Sequence, residues 1–95
     1  MLLALSDATC KSSLFKMYSD RYLPNHVIKT VLVTSQFECS MTCSRHDACE
    51  SWNLYETAQL GLTCELNSAT TVLENSLPRR DGAIFGRRLD IDSDK

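Results

Sequence analysis

The 95 residues contain no long hydrophobic run. The apolar stretch at the start, Leu2 to Leu5, falls far short of the roughly 20 residues a membrane-spanning helix needs, so membrane insertion is not expected. It is also shorter than the about 7 to 15 apolar residues of a signal-peptide core, and no basic residue follows Met1. Basic excess is lacking as well: the formal net charge is -2. Nucleic acid therefore finds no global attraction, and any polyanion site has to be a local patch. Phosphate-loop, H-E-x-x-H and C-x-x-C elements are absent, and Asn67-Ser68-Ala69 and Asn75-Ser76-Leu77 lack the hydroxyl residue that N-glycosylation requires. With no repeat and no low-complexity linker, the chain reads as one domain over residues 10–88. Residues 1–9 read as a disordered head or signal-peptide remnant, and 89–95 as a charged tail.

What is abundant is cysteine. A chain this short buries only about two thirds of the surface its unfolded form exposes, so its core needs help. Five cysteines in 95 residues offer that help as disulfides, or else signal metal or redox chemistry.

Leu14, Phe15, Met17 and Tyr18 predict a first strand. The β-branched density of Asn25 to Thr34 predicts a second, with Pro24 ahead of its regular pairing. Ser35 and Glu38 then form a capping box, predicting a helix to about Arg45 or His46. Helical spacing puts Cys39 and Cys43 on one face, with Phe37 and Met41 nearly opposite. Sheet on one side and a loop on the other would bury both pairs, and this is the expected arrangement. Cys49 to Glu56 reads as a strand with Trp52 and Leu54 on one side and Cys49, Ser51, Asn53 and Tyr55 on the other. Past a turn at Gly61, Leu62, Cys64 and Leu66 share the core face of a further strand, while Thr63, Glu65 and Asn67 point away. Ser68 to Arg80 reads as a long loop with a short helix around Val72 to Asn75. Asp81-Gly82 predicts a turn before a closing strand, Ala83 to Arg87. The fold class expected is α+β, with several strands around one central helix.

Setting Cys10 aside, four cysteines allow three pairings. Joining Cys39 to Cys43 would bridge one helical turn with parallel Cβ vectors, a poor disulfide geometry. Of the two arrangements left, the short loop from Cys43 at the helix end to Cys49 favours Cys43 with Cys49 and Cys39 with Cys64. On the chain-entropy estimate these loops contribute about 2.4 and 3.5 kcal/mol.

The set Cys39-x3-Cys43-x5-Cys49, Ser51-Trp52-Asn53 and Cys64-Glu65-Leu66-Asn67 resembles the core of PAN/apple domains, over about Leu14 to Phe85. That resemblance implies a curved antiparallel β-sheet cradling one α-helix, with the helix cysteines bridged to the sheet and to the following loop. It also implies a secreted, non-catalytic, adhesive module that binds extracellular proteins or glycans and uses no cofactor. Apple domains often join their first and last cysteines; here nothing after Cys64 can pair with Cys10. Its thiol is left free, linked to a second chain, or separated from a partner beyond the sequence.

Two rival chemistries compete for these residues. An intracellular zinc-dependent interaction domain would use the four cysteines with His26 or His46, but Cys49 and Cys64 make no second knuckle. Thiol catalysis would need Cys10 with His26 or His46 and an orienting group. For ligand binding, the candidates are Arg79, Arg80, Arg87 and Arg88, two pairs expected to flank the last hairpin and converge on one edge, where guanidinium forks suit sulfate or carboxylate.

Overall fold

The computed structural model describes residues 14–71 and 76–89. Five strands, β1 (Phe15–Arg21), β2 (Val27–Leu32), β3 (Ser51–Thr57), β4 (Gly61–Asn67) and β5 (Arg79–Arg88), form one antiparallel sheet in the order β1-β5-β3-β4-β2. Among the described residues one helix, α1 (Gln36–Ser44), joins β2 to β3. The chain is thus an α+β domain. The suggested helix at Val72 to Asn75 lies outside the described residues, as does Cys10.

The order makes consecutive strands β1 and β2 opposite edges. Across a flat sheet these edges would stand about 19 Å apart, four gaps of about 4.8 Å. The connecting residues 22–26 reach only about 20 Å when fully extended. They have little slack for a loop, and Leu23, packed over Tyr18, Phe85 and Leu77 and bonded to Asn53, lies in a strap across the face opposite α1.

Alternation along β3 and β4 creates two cores. On the helix side, Cys39 and Cys43 of α1 meet Trp52, Leu54, Cys64 and Leu66, with Phe15 and Ile84 packed at the margin. Cys39 is bonded to Cys64 with Cα atoms 5.6 Å apart, and Cys43 to Cys49 with Cα atoms 5.3 Å apart; both separations suit a disulfide. Gly86 makes room for the indole. A Cβ there would lie 2.2 Å from Trp52 Cε2. On the other face, Tyr18, Phe85 and Leu77 form a second cluster beneath Leu23 of the strap.

Ser35 caps α1, its hydroxyl accepting from the Glu38 N–H at 3.1 Å. The Glu38 carboxylate does not return to the Ser35 N–H as a capping box would have it. It accepts from the Thr34 N–H at 2.7 Å and the Thr34 hydroxyl at 2.9 Å. The extended backbone of Ser35 turns those donors toward the carboxylate, whose pKa is lowered by the Thr34 backbone and hydroxyl bonds. The helix stops at Ser44, where the Arg45 N–H bonds the Met41 carbonyl. Arg88 reaches over from β5 to the carbonyls of Cys49 (2.9 Å) and Ser44 (3.5 Å), placing a cation at the negative end of the helix.

Three expectations need correction. Among the described residues no loop covers the far side of α1, and Phe37 is 72% exposed. Two disulfides hold the helix through its cysteine face, so a second covering layer is not needed to keep it in place. Asp81-Gly82 is no hairpin turn, because residues 79–88 make one strand against β1. Between Ser19↔Ile84 and Arg21↔Arg79 the register slips, and β5 bulges. Gly82 takes the left-handed conformation there (φ 85°) and its N–H donates to Asp20 Oδ1 at 2.8 Å. A positive φ that costs glycine nothing thus marks a bulge as readily as a turn. Finally, the outward residues of β4 are not solvated: Glu65 is 8% exposed and Asn67 fully covered. Tyr22 of the strap bonds Glu65, and Ser51 links Asn67 to Ala69 just after β4.

Candidate functional site

The covered face is held by polar side chains. Asn53, at the centre of β3, is fully buried and clamps the strap at both ends of its amide: Oδ1 accepts from the Leu23 N–H at 2.9 Å and Nδ2 donates to the Leu23 carbonyl at 2.8 Å. Beside it on β4, paired directly across the ladder, Glu65 Oε1 accepts from the Tyr22 hydroxyl at 2.8 Å and from Asn53 Nδ2 at 3.3 Å. Its Oε2 accepts from the Tyr55 hydroxyl. Further along, Asn67 Nδ2 donates to the Ser51 hydroxyl, which donates to the Ala69 carbonyl at 2.6 Å and ties down the β4–β5 connection. A carboxylate buried without a cation is costly. Here two phenol O–H groups and an amide N–H compensate it.

This arrangement presents two aromatic rings at the surface. Tyr22 and Tyr55 stand edge to face, centroids 6.0 Å apart, and the Arg80 guanidinium carbon lies 4.0 Å from the Tyr55 centroid and 4.7 Å from that of Tyr22. Cation–π contact of this kind contributes about 0.5–1 kcal/mol at exposed sites. Burial, and then the bond to Glu65, raise the Tyr22 pKa above its usual 10.0 and push Tyr55 up to about 12. A raised pKa means that the folded state holds these protons more firmly than the unfolded chain. The stabilisation is therefore complete below pH 10 and lost as the pH climbs toward 12. An absorbance titration of tyrosinate should show delayed ionisation, and Glu65→Gln should move Tyr55 part of the way back; unchanged titration in that variant would contradict the assigned cause.

Cutting the strap's clamp is expected to cost more than a surface change. Asn53→Ala leaves two strap backbone groups without partners, a loss of about 2 kcal/mol, to be read as a lower urea midpoint.

The four candidate arginines do not converge. Arg79 and Arg80 begin β5 and Arg87 and Arg88 end it, roughly 25 to 30 Å away at about 3.3 Å per residue. Arg79 is ion-paired with Asp81 (3.1 Å) and Asp20 (3.7 Å). Arg87 Nε donates to the Tyr18 hydroxyl at 3.4 Å, and Arg88 bonds the carbonyls beside α1. Only Arg80 stands with the tyrosines. Sequence reasoning did not single out Tyr22, Tyr55 or Glu65. Period-2 alternation did place Tyr55 and Glu65 on one face, and what it lacked was the strap that covers that face. The four core cysteines are all bonded in pairs, so none of these four is a thiolate ligand for zinc, and His46 Nδ1 accepts from the Ala48 N–H.

A disulfide-closed helix on a five-stranded antiparallel sheet is the architecture that the resemblance implied. The sequence model of the PAN domain matches residues 9–88. The chain belongs to the PAN domain family. No curated protein and no solved structure matches it. PAN domains are disulfide-rich, typically extracellular interaction modules that bind proteins or carbohydrates without catalysis. In this PAN domain the face opposite α1, through the strap, carries the aromatic and cationic surface.

Proposed function

We propose that the chain is a secreted, non-catalytic recognition module that binds an extracellular protein or glycan through the strapped face, with residues 10–88 as the binding unit. One observation carries this reading: the Tyr22 and Tyr55 rings and the Arg80 guanidinium form an outward surface fixed from beneath by Glu65 and Asn53. Aromatic faces with a polar or cationic edge serve recognition because they offer contact area at little entropic cost. The disulfides support the extracellular assignment, since such bonds persist in oxidising compartments.

Screening the non-reduced domain against arrays of glycans and extracellular proteins tests the reading. Binding weakened by Tyr22→Ser is the expected result, and an empty screen would remove its basis. Whether Cys10 joins two chains is read separately, from the mass with and without reductant.

A further inference from the structure

We infer that Arg80 is the docking point for a single carboxylate group of the ligand; this rests on the recognition reading above and specifies its chemistry. The argument begins with the contrast between neighbours. Arg79 has its charge answered by Asp20 and Asp81. Among the described residues no carboxylate lies within ion-pair distance of Arg80, although its side chain is exposed. The nearby acid, Glu65, is occupied by Tyr22, Tyr55 and Asn53.

Position adds to charge. Long cationic side chains ordinarily lose rotamer entropy when a ligand fixes them. Contact with two rings already restricts Arg80, so less of that cost falls on binding. The rings are themselves held: their hydroxyls end on Glu65, and the Tyr22 N–H donates to the Pro78 carbonyl at 3.2 Å, two residues before Arg80. A guanidinium presents paired donors that match a planar carboxylate.

The surroundings select a monoanion. Arg80 is one cation, the Tyr22 and Tyr55 hydroxyls beside it end on the Glu65 carboxylate, and the whole chain has a net charge of -2. Polyanion binding depends on neutralising several charges together, and the other cations of β5 are paired or lie at the far end. The same carboxylate chemistry occurs in an acidic side chain of a protein and in an acidic sugar of a glycan.

The experiment follows the Arg80 side-chain Nε–Hε resonance of the full chain during titration with sodium N-acetylneuraminate in one arm and a capped Ala-Glu-Ala peptide, which carries a single carboxylate, in the other. A saturable shift in either arm is expected, and the responding arm identifies the source. Arg80→Gln should weaken that binding at least tenfold. Arg80→Lys, which keeps a cation over the rings but loses the fork, should weaken it less, and Arg79→Gln should leave it within about twofold. The Leu23 amide resonance of each variant, fixed by Asn53 beneath the strap, reports whether the strap and its network are intact. No shift in either arm, or binding by a correctly folded Arg80→Gln variant equal to the parent, would overturn the assignment. Should the screen for the proposed function still return a partner that Arg80→Gln binds normally, the carboxylate inference falls and the recognition reading stands; an empty screen removes both.

Discussion

Replacing Cys39 and Cys64 together by alanine is expected to lower stability by about 3.5 kcal/mol, the chain-entropy estimate for the loop they close. Small domains have a net stability of about 5–15 kcal/mol, and this one sits at the small end of the size range. The bond joins the middle of α1 to the core-facing side of β4 across 25 residues of sequence, so its loss frees both the helix and the loop that precedes β3. Removing Cys43 and Cys49 instead opens a loop of separation 6 and is expected to cost less, about 2.4 kcal/mol. Urea denaturation of the two double variants checks the order. If the Cys43/Cys49 variant proved the less stable, loop length would not be what governs the contribution of these bonds.

Gly86→Ala is the second large effect. The new methyl would lie 2.2 Å from Trp52 Cε2 and 2.3 Å from Cζ2, well inside van der Waals contact. The indole is fully buried, and Phe15 packs against it at 6.0 Å between ring centroids, so it has little space into which to retreat. Overpacking of this kind costs typically 1–3 kcal/mol and occasionally more; here about 3 kcal/mol is expected. Tryptophan fluorescence during urea unfolding measures it, and a change below about 0.5 kcal/mol would show that the indole has room to move. Nothing local in Ile84-Phe85-Gly86-Arg87 announces this constraint. The register of β3 on β5 sets Trp52 directly beside Gly86, and that pairing is not contiguous in the sequence.

Legibility followed the range of the interaction. The Ser35 cap, the helix after it, and the alternation of Trp52, Leu54, Cys64 and Leu66 were readable, because each depends on neighbours a few residues away. Capping and strand period are local properties of the backbone. Asp81-Gly82 failed for the complementary reason. Its glycine does need a positive φ, but whether the chain then reverses or bulges is decided by β1, which holds Gly82 through Asp20. Likewise Phe37 obeys helical spacing, yet its exposure depends on what packs there. The arginine pairs were read as neighbours because a turn was expected between them, and one continuous strand sets them apart instead.

By itself, then, the sequence determined that this is a small α+β domain with disulfides joining a capped helix to a sheet, and it carried the PAN family's cysteine and strand pattern. The tertiary structure alone decided the order β1-β5-β3-β4-β2, hence the taut strap of residues 22–26, hence the burial of Glu65 and Asn53 and the meeting of Tyr22, Tyr55 and Arg80. The physical reason is reach. Hydrogen-bonding period and capping are written within a turn or a strand, whereas a surface assembled from residues 22, 55, 65 and 80 exists only after strands distant in sequence have been ordered side by side.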